Sequence, residues 1–173
     1  MSNLPTKYKW LDNEAAPHQI VEAITMVGKD KVPATGNHIL QTWATEMNIN
    51  PTKDYDADSV SWNGLFIGLL TKRSGWTPPT GYLWTLNWNM FGSTSAQPML
   101  GDLLTFIRSS GGAAGFYVGE DKAAYHILGA RDANAVTVHR LDKRKLYSSR
   151  RPPYTTLPIN VRKILLTVGG ELV

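Results

Sequence analysis

The spacing of hydrophobic positions changes near the middle of this chain. Between Pro17 and Val27, apolar side chains recur at Ile20, Ala23, Ile24 and Val27, which predicts a helix with one buried face, and Gly28 predicts its stop. Asn37 reads as the N-cap of a second helix that carries Ile39, Leu40, Trp43, Ala44 and Met47 at helical spacing. Residues 48–59 are polar, with Pro51, Asp54, Asp56 and Asp58, and read as a loop. Ser59 or Ser61 can cap a third helix running through Leu65, Phe66, Leu69 and Leu70 toward Gly75. That helix is apolar around most of its circumference, which places it at the centre of a domain.

After the break at Thr77-Pro78-Pro79-Thr80-Gly81 comes a segment holding Trp84, Trp88 and Phe91, irregular or briefly helical. Beyond Pro98 the pattern shortens to strands: 103–107, 114–118, 125–128 and 136–141, rich in Val, Ile, Tyr and Phe. Gly111-Gly112, Gly119-Glu120-Asp121 and Asp132-Ala133-Asn134 mark the turns between them, so an antiparallel meander is expected, with 144–151 as a further strand. Helices first and strands second predict an α+β domain with its N-terminal helices packed on one face of the sheet. Residues 1–154 form that domain. Residues 155–173, with Ile159, Val161, Ile164, Leu165, Leu166 and Val168, are a C-terminal extension that either docks on the domain or serves as an interaction arm.

Composition narrows the chemistry. The chain has 173 residues, 42% apolar and 18% charged, as an ordinary globular domain has. It has no cysteine, which excludes disulfides, thiolate metal sites and cysteine catalysis. No apolar run approaches a membrane span, and the first sixteen residues show no signal-peptide core. The net charge of +4 is uneven. Residues 1–60 hold five Lys/Arg against eight Asp/Glu, and residues 61–173 hold thirteen against six. Arg140, Lys143, Arg144, Lys145, Arg150 and Arg151 make up much of the excess and are a candidate interaction surface. The aromatic interleaving used by single-strand nucleic-acid binders is sparse there, with only Tyr147 and Tyr154, so nucleic acid is not the expected partner.

Several segments together resemble one family. Leu100-Gly101-Asp102-Leu103-Leu104-Thr105-Phe106 resembles a P-G-D-I-V-V-F strand, and Gly115-Phe116-Tyr117-Val118-Gly119-Glu120-Asp121 resembles the H-V-G-F-Y-V-G-E-D strand that follows it. Leu128-Gly129-Ala130-Arg131 is similar to L-G-G-N, and residues 147–152 resemble a closing strand. Ser61-Trp62-Asn63-Gly64-Leu65-Phe66 stands where a Trp-Cys-small-x-Phe helix start is expected. These are features of the papain-like peptidoglycan hydrolases of the NlpC and CHAP type, in a small phage and prophage branch, and the resemblance covers roughly residues 8–154. It implies a papain-like fold and a virion or bacterial-cytoplasm location, with other proteins of a phage or prophage assembly as partners and peptidoglycan as a candidate ligand.

The same resemblance implies lost catalysis. The family's cysteine falls at Asn63, its histidine base at Ala113 and its orienting polar residue at Arg131. An amide cannot attack a carbonyl as a thiolate does, an alanine takes no proton, and no cofactor or metal is implied. Trp62, Trp84 and Trp88 fall where the family builds a substrate groove, so they are candidate groove residues. Asn63 also reads simply as a helix cap. Ser59 and Ser61 are conceivable substitute nucleophiles without a base beside them. By strand alternation, His126 and His139 read as surface or internally satisfied histidines, and His18 and His38 are too far apart for a metal pair. Asp54, Asp56 and Asp58 lack the glycine and distant glutamate of a calcium loop. Glu120 and Asp121 read as turn residues. Expected overall is an inert hydrolase-like module. A cell-wall binding module and a hydrolase with a non-cysteine nucleophile are the alternatives.

Overall fold

A helix with no polar face has to be covered on every side. The third helix, α3 (Trp62–Arg73), is covered in this way: every residue from Trp62 to Thr71 is buried. The computed structural model describes residues 2–29, 38–50, 62–130 and 135–173. A 3₁₀ segment, Thr6–Asn13, leads into α1 (His18–Thr25) and then α2 (His38–Glu46). Gly28 follows α1 with φ 83°, and Gly75 follows α3 with φ 81°. Both glycines thus end their helices as expected, because the left-handed turn favours a residue without Cβ. Asn37, Ser59 and Ser61, the expected caps of α2 and α3, lie outside the described residues, as does the Asp54–Asp58 run.

A second 3₁₀ segment, Thr85–Met90, precedes six strands: β1 (Ser93–Thr94), β2 (Leu103–Arg108), β3 (Gly111–Glu120), β4 (Ala124–Ala130), β5 (Val136–Asp142) and β6 (Leu146–Arg151). The sheet is antiparallel, in the order β1-β6-β2-β3-β4-β5. The helices pack on it, with α3 against β3 and β4 and both α1 and α2 against α3. The protein is therefore α+β. The meander holds from β2 to β5, but β6 returns to pair with β2 on the far side. Asp102 explains that return. Its carboxylate is fully buried and takes a two-pronged contact from Arg151, Nε to Oδ1 at 3.0 Å and Nη2 to Oδ2 at 2.8 Å. A buried carboxylate needs such a partner, and β6 supplies it. The hydroxyls of Thr105 and Ser148 add a 2.6 Å contact across the same pair of strands.

The β5–β6 connection also fixes the shape of the sheet. Only Lys143–Lys145, one 3₁₀ turn, separates β5 from β6. In a flat sheet those strands would lie about 19 Å apart, four strand spacings. Four residues reach about 14 Å at most. The sheet must curl, and the ring contact between Phe106 on β2 and Tyr125 on β4 (centroids 6.3 Å apart) lies on its inner side.

The C-terminal extension is no separable arm. Ile164 and Leu166 belong to the hydrophobic core, at 3% and 4% exposure. Leu165 forms a parallel bridge with Glu120, and Leu166 N–H donates to the Glu120 carbonyl at 2.8 Å. Leu100 N–H donates to the Arg162 carbonyl at 2.9 Å. The domain therefore runs to the last residues, because β3 would otherwise leave apolar surface and backbone groups uncovered.

Candidate functional site

β3 and β4 pair from Glu120↔Tyr125 to Phe116↔Leu128. Two residues further in this register, Ala114 faces Ala130. The first turn of α3 delivers the Asn63 side chain to that point. Asn63 Nδ2 donates to the Ala114 carbonyl at 2.8 Å and to the Ala130 carbonyl at 2.6 Å, while Ala114 N–H donates to Asn63 Oδ1 at 3.2 Å. Thr85 Oγ1 donates to the same Oδ1 at 3.5 Å. The carboxamide does the work of a peptide group and replaces ladder bonds between the two strands. It does not cap its own helix, so the cap reading is corrected: the side chain turns into the sheet, where three backbone groups would otherwise go unpaired.

This places two of the three expected positions. Asn63 is 4% exposed and Ala113 is 1% exposed, beside the Ala114 that Asn63 binds. Arg131 lies outside the described residues, but its neighbour Ala130 supplies the second carbonyl. No side chain at Asn63 or Ala113 can accept or deliver a proton. Two glycines of α3 then allow the surface over Asn63 to close. A Cβ on Gly64 would stand 2.4 Å from the Leu83 carbonyl oxygen, and one on Gly68 would stand 2.7 Å from the Tyr82 ring. The bare backbone of α3 lets the Tyr82–Leu83 backbone lie directly on the helix start. Sequence reasoning missed Gly64, Gly68 and Thr85. The adjacent Asn-Gly and the four-residue glycine spacing were the available signals.

The tryptophans divide. Trp62 is buried and stacks on Trp43, with centroids 6.2 Å apart and planes 9° from parallel. Trp88 is wholly buried and donates its indole N–H to the Tyr82 carbonyl at 2.8 Å. Only Trp84 faces out, at 63% exposure. Trp62 and Trp88 are therefore core residues, not groove walls. Most of the cations are engaged within the molecule. Arg140 holds Asp121, Lys143 holds Glu120 at 2.8 Å, Arg144 holds Asp142, and Arg151 holds Asp102. Arg150 donates to Phe91 O, Gly92 O and Thr94 Oγ1. Lys145 is exposed. Of the expected basic surface, Arg140, Lys143, Arg150 and Arg151 have partners within the molecule; Lys143, Arg150 and Arg151 are partly buried, while Arg140, Arg144 and Lys145 stay exposed.

His126 is the residue whose surroundings the sequence did not disclose. It is fully buried, so the surface reading fails and the internally satisfied one stands. One ring nitrogen lies 2.6 Å from the Tyr8 hydroxyl and the other 2.8 Å from Asp121 Oδ2. Arg140 clamps the same carboxylate, Nε to Oδ2 at 2.7 Å and Nη2 to Oδ1 at 2.9 Å. The Arg140 contact, reinforced by His126, holds Asp121 well below the usual carboxylate range. Burial pushes the His126 pKa down, against the pull of Asp121. The imidazole is therefore neutral, donating Nε2–H to Asp121 and accepting the tyrosine hydrogen at Nδ1. Neighbouring Glu120 is also held below its ordinary range: burial opposes this, but hydrogen bonds from Lys143 and Tyr117 outweigh it. Tyr8, His126 and Asp121 resemble a proton relay, yet Tyr8 is sealed beneath Gly170, whose absent Cβ would stand 2.4 Å from the ring. Tyr8 keeps only 8% exposure and His126 none.

A second imitation of a triad lies on the surface. His18 Nδ1 is 3.1 Å from Ser74 Oγ, and Glu22 Oε1 is 3.9 Å from the other ring nitrogen. Ser74 follows the C-terminal end of α3, where backbone carbonyls face outward, so no N–H donors await an oxyanion. Among the described residues, no three His, Asp or Glu side chains gather as a metal site requires, and no helix is long and apolar enough to cross a membrane. Compared with the models of known families and with curated proteins, the chain matches none.

Proposed function

We propose that this chain is a catalytically inert relative of the papain-like peptidoglycan hydrolases, serving as a structural or interaction module in a phage virion or prophage-derived assembly. The carboxamide of Asn63 carries the proposal. It stands at the helix start where the resemblance puts a nucleophile, and its hydrogen bonds go to Ala114, Ala130 and Thr85. Those alanines adjoin the two other positions at which the family keeps its base and its orienting residue. A hydrolase needs a nucleophile, a base in reach and an opening. Here the nucleophile is an amide, the base position is a buried alanine, and Tyr82–Leu83 covers the opening. The phage setting is drawn from the resemblance.

The test is hydrolysis of purified peptidoglycan, by turbidity and by zymogram. No clearing is expected at any protein concentration. Clearing that survives repurification and is lost with Ser74→Ala would overturn the proposal in favour of a serine hydrolase. The exposure of Trp84 favours a second reading, retention of cell-wall fragments without cleavage. A pull-down on peptidoglycan, repeated with Trp84→Ala, decides it: retention that falls with the substitution supports binding, and no retention removes it.

A further inference from the structure

The sequence contains one Asn-Gly pair, Asn63-Gly64. Such a pair is open to a reaction of its own backbone. The Gly64 nitrogen attacks Asn63 Cγ, gives its proton to solvent and expels the carboxamide nitrogen as ammonia. A five-membered succinimide results. Water then adds to one of its two carbonyls and leaves aspartate or, more often, isoaspartate. One water is consumed, one ammonia is released, and nothing is oxidised or reduced. Glycine favours the ring closure because it has no Cβ to block the approach and leaves the backbone free to turn.

The folded protein withholds each requirement. Asn63 is buried, so water is scarce around it. Ala114, Ala130 and Thr85 hold its carboxamide, which keeps Cγ directed into the sheet. Gly64 lies in the first turn of α3, where a helical ψ of about −42° at the preceding residue keeps the Gly64 nitrogen out of the plane that the ring requires. The carbonyl oxygens of Leu83 and Tyr82 lie 2.4 Å and 2.7 Å from the place of a Gly64 Cβ, which leaves that segment no room to rotate.

The same packing rejects the products. A carboxylate at residue 63 has no N–H to donate. The Ala114 and Ala130 carbonyls, met at 2.8 Å and 2.6 Å by the amide, would then face a charged oxygen. Isoaspartate also adds a methylene to the main chain at the start of α3. That insertion moves Gly64 and Gly68 away from Tyr82 and Leu83, against which no Cβ fits.

We infer that Asn63-Gly64 is a modification site that folding closes: it deamidates only in unfolded chains, and its isoaspartate product cannot return to this fold. Residue 63 thereby keeps a one-way record of time in the unfolded state. The inference goes beyond the inert reading and does not depend on it.

Ageing the full chain in guanidinium chloride at mildly alkaline pH, beside the same protein in buffer, tests this. Peptide mass mapping follows residue 63, and labelling by isoaspartyl methyltransferase counts the isoaspartate. Conversion is expected in denaturant. In buffer it should be slower by about 1000-fold or more, since only the unfolded fraction reacts. After dilution from denaturant, the refolded monomer should lack isoaspartate at residue 63, and the unrefolded fraction should hold it. Asn63→Asp supplies the other product directly and should weaken the folding equilibrium by about 100-fold. Conversion in buffer at the denatured rate, no conversion in denaturant, or isoaspartate chains that refold with wild-type stability would each overturn the inference.

Discussion

Asn63 and His126 are both buried polar residues that bind the same sheet, and they pose opposite problems. Asn63 sits where the resemblance expects chemistry, yet its side chain holds two strands together. His126 has the neighbours chemistry uses, a hydroxyl at 2.6 Å and a carboxylate at 2.8 Å, yet it is wholly buried, with Gly170 packed on Tyr8. Reactive residue types therefore do not make a site by themselves. A site also needs an unfilled valence and a way in. Asn63 has neither a free valence nor an entrance, and His126 has no entrance.

Asn63→Leu tests the comparison most severely. The two side chains are close in size, but leucine strands the Ala114 N–H and the Ala114 and Ala130 carbonyls. A loss of about 4 kcal/mol is expected from buried groups left unpaired at about 1–3 kcal/mol each. Urea denaturation measures it, and a loss under about 1 kcal/mol would mean that water replaces the amide. Rebuilding the family's residues with Asn63→Cys and Ala113→His should cost a similar amount, since a thiol cannot make these bonds.

The next largest effect is expected at His126. His126→Phe leaves the Tyr8 hydroxyl and one Asp121 oxygen without their partner and should cost about 2 kcal/mol. Its pH signature separates it from a mere packing change. The folded pKa of His126 is lowered, so the unfolded chain takes up the proton first. The contribution is complete above the unfolded value of about 6.5 and is lost as pH falls toward the folded pKa. Thermal melts of the wild type should lose stability below about pH 6.5, and His126→Phe should lack that step. A melting temperature flat from pH 7 to 5 would show that the imidazole is not sealed from water. Asp121, also lowered, adds a second loss below about pH 4.

Gly64→Ala measures the seal over Asn63. In an open helix alanine would stabilise by about 1 kcal/mol. Here its Cβ meets a backbone carbonyl at 2.4 Å, and backbone cannot step aside as a side chain can. A net loss of about 1–2 kcal/mol is expected. A gain would mean that Tyr82–Leu83 lifts off the helix start easily. Trp84→Ala should change stability by less than about 0.5 kcal/mol, because the ring is mostly in water.

Much of this architecture could be read from the sequence because it rests on local patterns. The three helices follow from apolar spacing, with glycine stops for α1 and α3, and β2–β5 from short apolar runs between turn residues. β1 could not be found, since Ser93 and Thr94 show no alternation and pair only because Arg151 and Arg150 lie opposite. The placement of β6 depends on Asp102 finding Arg151 across 49 residues, and no periodicity encodes such a partnership. At the site, the residue types Asn63 and Ala113 were legible in the sequence, with no thiol or imidazole at either. What the Asn63 side chain binds was not, because a side chain replacing ladder bonds depends on where two strands part. The His126 relay escaped notice because Tyr8 lies 118 residues away, and the ion pairs of the basic run were not legible because each of its carboxylate partners but Asp142 is distant from it in sequence.

The cover over His126 also sets a timetable for the growing chain. Tyr8 waits for His126, and Trp10 donates its indole N–H to Gly170, 160 residues later. Loop closure makes such distant pairing only modestly unfavourable at equilibrium, about 0.6 kcal/mol for each doubling of length, but it slows folding strongly. At about 5–20 residues per second, a ribosome needs roughly 8–32 s to travel from Trp10 to Gly170. For that interval Tyr8 and the end of β3 lack the cover that Gly170, Ile164 and Leu166 supply, and exposed apolar surface of that kind makes a nascent chain prone to aggregate.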